Sequence, residues 1–136
     1  MNHTPAETLL RMYYDRFNAR DVEGFLQLLS DNVVHEISQG PVERGKEAFR
    51  AFLERMNRCY RERVYDLMVM VSADGSRAAA EFMLEGEYLQ TDGDLPPARG
   101  QRYTLRVGAF FEFESGKIAR VSNHYNLQDW IAQVSQ

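Results

Sequence analysis

The chain has 136 residues, of which 44% are hydrophobic, and this predicts a single folded domain over residues 1–136 with a sizeable core. Its formal net charge is -4, with 20 acidic and 16 basic residues mixed along the chain, which argues against a nucleic-acid partner because such proteins need a basic face. No apolar run approaches the ~20 residues of a membrane span and no secretory signal is visible, so we expect a cytoplasmic protein with no membrane partner.

The first half of the chain favours helices. Apolar residues recur at helical spacing in three segments, and the first two have residues able to cap the start of a helix. These segments lie at 4–17, 22–29 and 46–60. A turn over 30–32, a strand over 33–38 and a loop over 39–45, rich in glycine and proline, separate the second helix from the third.

The second half predicts two antiparallel hairpins and a short helix. The first hairpin has strands over 61–72 and 77–90, joined by the turn signal Asp74-Gly75. After a loop over 91–100, the second hairpin has arms over 102–113 and 117–126. A short amphipathic helix follows. This order predicts an α+β fold, in which a curved, mainly antiparallel sheet wraps three helices into a cone with an open mouth.

Alternation along the second hairpin predicts which face of the sheet is inside. If Ala109 and Phe111 face the pocket, Phe110 faces outward. In the first hairpin, the outer face receives either Met68 and Met70 or the set Tyr65, Leu67 and Val69. Either way the outer face is apolar, and a lone domain does not leave such a face in water, so we predict a homodimer that packs sheet against sheet.

Several segments carry a resemblance to a known family. Besides Tyr13, they are Asn18-Ala19-Arg20-Asp21, Leu29-Ser30-Asp31-Asn32-Val33, Gly45-Lys46-Glu47-Ala48 and Gly116-Lys117-Ile118-Ala119-Arg120-Val121. Together with the element order, they make nearly the whole chain resemble the nuclear transport factor 2-like superfamily, and within it the SnoaL-like and ketosteroid isomerase-related proteins. The resemblance implies the cone fold, a small-molecule pocket and a homodimer. It leaves the activity open, because this fold hosts isomerases, cyclases, epoxide hydrolases and non-catalytic binders.

The resemblance to steroid isomerases does not extend to their catalytic set. Those enzymes use a carboxylate base and an oxyanion hole made of a tyrosine and a protonated aspartic acid. The tyrosine position falls on Tyr13, but the base position falls on Ile37 and the acid position on Ala109. Neither side chain can exchange a proton, so steroid isomerisation by that mechanism is not expected.

The resemblance to limonene epoxide hydrolases is also incomplete. Asn123 occupies the position of the carboxylate that activates water there, and an amide is not a base near neutral pH. The other polar pair of that branch would fall near Glu85 and Glu87. Whether those two face inward depends on Gly86, which predicts a bulge or a close backbone approach.

Tyr13 and His35 are therefore the catalytic candidates. Tyr13 can donate a hydrogen bond to a developing oxyanion, and His35, with an ordinary pKa of ~6.5, can move a proton. The opposing interpretation is a packing tyrosine and a hydrogen-bonded wall histidine. The predicted ligand-binding residues are Ile37, Phe52, Ala109, Phe111, Asn123 and Tyr125.

The other histidine and the acidic residues do not indicate a metal site. His124 alternates with Asn123 and Tyr125, so it faces the other side of the sheet and is expected at an interface. His35, Glu36 and His124 lack the spacing of metal ligands, and Cys59 is the only cysteine. We predict neither a metal nor a cofactor.

Two function classes remain open. The first is an isomerase, cyclase or hydrolase that acts on a small, apolar, oxygen-bearing molecule by general acid–base chemistry, without the steroid isomerase catalytic set. The second is a non-catalytic, dimeric small-molecule-binding module in which the same residues line the pocket.

Overall fold

A computed structural model describes residues 4–136, which form four helices and six strands. The helices are α1 (Pro5–Ala19), α2 (Val22–Leu26), α3 (Lys46–Cys59) and α4 (Leu127–Val134). The strands are β1 (Leu29–Glu36), β2 (Val42–Arg44), β3 (Tyr60–Val71), β4 (Arg77–Tyr88), β5 (Arg102–Glu114) and β6 (Lys117–His124). The predicted α+β class, the two hairpins and the short terminal helix are confirmed.

All six strands belong to one curved, unclosed sheet with the order β2-β1-β6-β5-β4-β3. Neighbouring strands are antiparallel except β1 and β6, which run parallel. The concave face carries alternate apolar side chains that pack against α1 and α3, and α2 packs against these two helices. The core residues with the largest fully buried side chains include Leu10, Phe49, Tyr88, Phe111 and Ile118. The predicted arrangement, a curved sheet around three helices, is therefore confirmed.

The end of α1 is fixed to β3 by the side chains of Asn18 and Arg20. Asn18 accepts a hydrogen bond from the Val64 backbone N–H (2.8 Å) and donates one to the Val64 carbonyl (2.9 Å). Arg20, in the left-handed conformation that ends the helix (φ 58°), donates to the Tyr60 carbonyl (2.9 Å). These bonds hold the start of β3 beneath the helices, where it forms one wall of the fold's interior.

A bulge in β3 decides which of its residues face outward. The pairing register with β4 shifts between Tyr65 and Met68, and Asp66 adopts a positive φ of 53°. The extra residue reverses the alternation, as bulges do. Met68 (62% exposed) and Met70 (49%) consequently lie on the outer face, where Phe110 (51%) also lies.

Two local predictions were wrong. The segment 30–32, predicted as a turn, lies within β1, where the pairing with β6 is irregular between Leu29 and Val34. The segment 39–45, predicted as a loop, contains the three-residue strand β2 on the edge of the sheet. Both segments are rich in turn-forming residues, and tertiary pairing overrides that local preference.

Candidate functional site

The concave face of the sheet and helices α1 and α3 enclose a cavity of ≈ 520 Å³. Its volume is within the range of ligand sites in proteins, about 300–1,000 Å³. Most of its wall is apolar and aromatic. Its polar groups include a carboxyl on β3, which accepts a hydrogen bond from a tyrosine of β5 behind the wall, and a histidine–amide pair on β1 and β6.

The carboxyl–tyrosine pair consists of Glu62 and Tyr103. Glu62 is half-buried in the cavity wall between the buried residues Tyr60 and Val64. The Tyr103 hydroxyl donates a hydrogen bond to Glu62 Oε2 (2.5 Å). Burial raises the pKa of the Glu62 carboxyl to about 7, although the bond from Tyr103 and the charge of Arg20 oppose the rise. Near neutral pH, Glu62 can therefore both accept and release a proton.

The loop after β4 closes the wall beside this pair. The Tyr60 hydroxyl donates to Asp92 Oδ2 (2.8 Å), and the Asp92 backbone N–H donates to the Tyr88 hydroxyl (3.0 Å). The Tyr88 hydroxyl in turn donates to the Pro96 carbonyl (2.7 Å). Asp92 also lies 3.6 Å from Arg55, so its charge has a cationic partner. These contacts hold the segment 89–101 against the cavity.

The histidine–amide pair consists of His35 and Asn123. His35 is 2% exposed; its ring stacks on Phe49 (centroids 4.1 Å apart) and meets Phe52 edge-on (4.6 Å). Its Nε2 lies 3.5 Å from Asn123 Nδ2, a long contact, and its Nδ1 has no hydrogen-bond partner among residues 4–136. Burial lowers the pKa of His35 to about 4, so the ring is neutral near pH 7. A neutral imidazole is suited to orient an oxygen atom and is a weak base.

Further polar groups reach the cavity wall. Glu43 of β2 lies opposite His35 in the strand register, and its buried Oε1 has no partner within the described part of the chain. Tyr13 and Tyr14 of α1 both line the cavity, and burial raises the pKa of each phenol. Both tyrosines therefore stay protonated at neutral pH and can donate hydrogen bonds.

Six of the eight predicted site residues line the cavity: Tyr13, His35, Ile37, Phe52, Asn123 and Tyr125. The other two, Ala109 and Phe111, face inward as predicted but do not line it. Both are 1% exposed, and the Tyr13 ring covers Phe111 edge-on at 5.4 Å. They belong to the packed core beneath α1, so the structure places them away from the site predicted for them.

The acidic pair on β4 and the second histidine lie on the outer face. Glu85 pairs with Arg63 (2.8 Å) and Glu87 with Arg61 (3.3 Å), so neither carboxylate enters the cavity. His124 is exposed, contacts Phe110 edge-on (5.6 Å) and lies 2.8 Å from the Ser122 hydroxyl. Within residues 4–136 no group of three or more histidine, cysteine, aspartate or glutamate side chains is placed to hold a metal ion.

Sequence reasoning did not identify Glu62 or Tyr103. Glu62 stands between Arg61 and Arg63, a local pattern typical of a solvent-exposed strand face. The signal that identifies it is its position two residues from both Tyr60 and Val64, which are buried on the same side of β3. Tyr103 has the corresponding signal on β5, where it lies on the same side of the strand as the buried Leu105 and Val107.

Residues 10–121 match the sequence model described as the SnoaL-like domain. A candidate polyketide cyclase from Pseudomonas putida KT2440 is 56% identical; the match covers 98% of this chain and 99% of that one, with a TM-score of 0.93. A second, from Xanthomonas campestris pv. campestris, is 47% identical over 96% of both chains, with a TM-score of 0.93. A third, from Silicibacter sp. TM1040, is 43% identical over 100% of this chain and 99% of that one, with a TM-score of 0.95. None of the proteins with curated descriptions matches significantly.

Among residues 4–136, no helix combines the length and the apolar character that crossing a membrane requires.

Proposed function

Because the chain belongs to the SnoaL-like domain family, we propose that it is a small acid–base enzyme acting on an uncharged, apolar molecule with more than one carbonyl group. Three relatives, 56%, 47% and 43% identical, are candidate polyketide cyclases, and polyketides are compounds of this chemical class. The cytoplasm is the location that we propose for it.

The observation that carries this proposal is the Glu62 carboxyl. General acid–base catalysis works best when the pKa of the group lies near the working pH, and burial raises the pKa of Glu62 to about 7. The carboxyl lines a largely apolar cavity, and Tyr103 holds it at 2.5 Å. We assign to Glu62 the proton transfer that the sequence suggested for His35, because the pKa of the buried imidazole is lowered to about 4.

The proposed step is proton abstraction next to a carbonyl group. The C–H bond breaks, an O–H bond forms on Glu62, and the electron pair moves onto the carbonyl oxygen to give an enolate. The enolate carbon then forms a C–C bond with a second carbonyl carbon of the same molecule. Glu62 returns its proton to the resulting alkoxide, so the step is a ring closure that consumes no oxidant or reductant.

Tyr13 and His35 complete the proposed chemistry as hydrogen-bonding groups. The protonated Tyr13 phenol can donate to the oxygen on which negative charge develops. Neutral His35 and Asn123, on adjacent strands, can orient the second oxygen. The substrate is expected to be largely apolar, because most of the cavity wall is apolar and aromatic, and Arg55 and Asp92 at the wall pair with each other.

The second candidate function is non-catalytic binding of the same class of molecule. Its support is Asn123, Ile37 and Ala109, which stand where catalytic relatives of this fold carry proton-exchanging groups. Both functions use the same cavity, so binding alone does not separate them.

Exchange of carbon-bound hydrogen separates the two functions. The apolar ketone 2-tetralone has acidic C–H groups beside its carbonyl, and its uptake of deuterium from D₂O can be followed by proton NMR. We expect the protein to accelerate this exchange above the buffer rate. The protein-dependent rate should rise with pH through about 7, as the Glu62 carboxylate forms.

The buffer-only rate at each pH is the reference. If 2-tetralone shifts the NMR signals of the protein while its deuterium uptake stays at the buffer rate, the enzyme proposal is wrong for this ketone class and the binding module is favoured.

The homodimer is proposed from the outer face of the sheet. Met68, Met70 and Phe110 are exposed there together, an apolar surface that association would remove from water. We expect sedimentation velocity at micromolar concentration to give a dimer, and Phe110→Asp to shift it toward monomer. A strict monomer for the unmodified protein would contradict the proposal, and Leu89→Asp, another exposed apolar position outside this group, is the control.

A further inference from the structure

Tyr103 reaches Glu62 by crossing an entire strand. In the sheet register, Glu62 of β3 pairs with Gly86 of β4, and Gly86 pairs with Tyr103 of β5. Glu62 and Tyr103 are thus on strands that are not neighbours, about 10 Å apart at the usual strand spacing. Their side chains nevertheless meet at 2.5 Å.

The crossing depends on position 86 being glycine, which has no side chain. A Cβ atom built on Gly86 would lie 2.3 Å from Tyr103 Cζ and 2.4 Å from its hydroxyl oxygen. The tyrosine ring therefore lies directly on the Gly86 backbone. Any larger residue at position 86 would push the ring off β4. Glycine inside a strand otherwise weakens it, and close approach by another group is a recognised reason for keeping one there.

Glu62, Gly86 and Tyr103 thus occupy paired positions in one row across strands β3, β4 and β5. We propose that Gly86 and Tyr103 are positioning residues for the Glu62 carboxyl, with Gly86 providing the gap through which the Tyr103 hydroxyl holds that carboxyl in the cavity wall. Their catalytic importance rests on the proposed function, whereas their effect on Glu62 itself does not.

The charged and titratable groups around Glu62 come from three directions. Tyr103 of β5 donates its hydrogen bond, and Arg20 at the end of α1 contributes a positive charge. Burial raises the pKa of the Tyr125 phenol, and the nearby charge of Glu62 adds to that rise. Of these groups, only Tyr103 needs the space that Gly86 leaves free. A hydrogen bond donated to a carboxylate favours the charged form, so its loss raises the pKa of the carboxyl.

The test is a ¹³C NMR titration of the Glu62 carboxyl, which needs no substrate. In Tyr103→Phe, which removes only the hydroxyl, we expect the midpoint to rise by about one pH unit or more. In Gly86→Ala, we expect a rise in the same direction, because the displaced ring can no longer donate. Gly108→Ala is the matched control, since a Cβ on that strand glycine meets no atom of residues 4–136 within 4 Å.

A double substitution separates displacement of the ring from general damage to β4. Leucine at position 103 keeps an apolar side chain but cannot extend over position 86. In the Tyr103→Leu background, adding Gly86→Ala should leave the Glu62 midpoint unchanged, because no ring remains to be displaced. An additional shift there, or an unchanged midpoint in both Tyr103→Phe and Gly86→Ala, would overturn the positioning role.

The same variants also tell this inference apart from the proposed function. If the Glu62 midpoint moves as expected but 2-tetralone exchange stays at the buffer rate in the unmodified protein, the positioning role stands and the enzyme proposal fails. If exchange occurs and its pH profile is the same in Gly86→Ala as in the unmodified protein, the enzyme proposal stands and the positioning role fails.

Discussion

Replacing Glu62 with glutamine is expected to lower the protein-dependent exchange of 2-tetralone by roughly 10²–10⁴-fold. Glutamine has nearly the same shape and can still accept the hydrogen bond from Tyr103, but its amide cannot take up a proton near neutral pH. The cavity and its apolar lining remain, so binding of 2-tetralone, followed through the NMR signals of the protein, should change little.

Glu85→Gln is the matched control. It lies on the adjacent strand, faces outward and pairs with Arg63, so its loss should leave the exchange rate unchanged. If Glu62→Gln retains full exchange activity, Glu62 is not the proton-transfer group and the proposed mechanism fails.

Glu62→Gln should also change the dependence of stability on pH. The pKa of Glu62 rises from 4.5 to about 7 on folding, so the unfolded chain releases this proton first as the pH increases. The free energy of unfolding of the unmodified protein consequently loses up to about 3 kcal/mol from this group between pH 4.5 and 7. Over that range, chemical denaturation should show Glu62→Gln becoming progressively more stable relative to the unmodified protein.

Replacing His35 with phenylalanine should have the opposite dependence. Burial lowers the pKa of His35 from 6.5 to about 4, so the unfolded chain binds a proton first as the pH falls. This group therefore removes about 3 kcal/mol from the free energy of unfolding between pH 6.5 and 4. Relative to the unmodified protein, His35→Phe should gain that amount over the same range, as measured by urea denaturation at each pH.

Phenylalanine suits position 35 because it can stack on Phe49 as the imidazole does. Burial is the cause of the lowered pKa of His35. Glu43 lies opposite His35 on β2, so it is kept unchanged in all variants to leave the surroundings of position 35 the same. His124→Gln on the outer face is the control and should keep the acid-dependent loss, because it leaves His35 in place. A constant difference between His35→Phe and the unmodified protein from pH 6.5 to 4 would refute the assignment.

The bulge in β3 explains why the fold was more predictable than the site. Helical spacing and turn signals identified the helices and both hairpins. On β3, however, a single alternation extended back from Leu67 and Val69 puts Glu62 on the face of Met68 and Met70. The positive φ of Asp66 reverses the alternation, so Glu62 faces the cavity. One residue in an uncommon conformation thus concealed the cavity-wall carboxyl whose pKa burial raises to about 7.

Ala109 and Phe111 illustrate a second limit. Alternation correctly predicted that both face inward, because it depends only on the geometry of their own strand. Whether an inward side chain meets a ligand or another side chain depends on what the helices place above it. Here the Tyr13 ring covers Phe111, a contact between residues 98 positions apart that no local pattern contains. The sequence proposed His35 and Asn123 separately as site residues, and their proximity emerges only from the pairing of β1 with β6.

The parallel pairing of β1 with β6 also has a consequence for how the chain acquires its shape. His35 and Asn123 are 88 positions apart, and the strands that carry them are neighbours in the sheet. During synthesis, β1 leaves the ribosome long before β6 and has only the short strand β2 and the helices as partners. Closing so large a loop is entropically costly and slows folding. We therefore expect the hairpins to form early and the cavity wall at His35 to be completed last, so a nascent chain exposes this aromatic region to chaperones until β6 arrives.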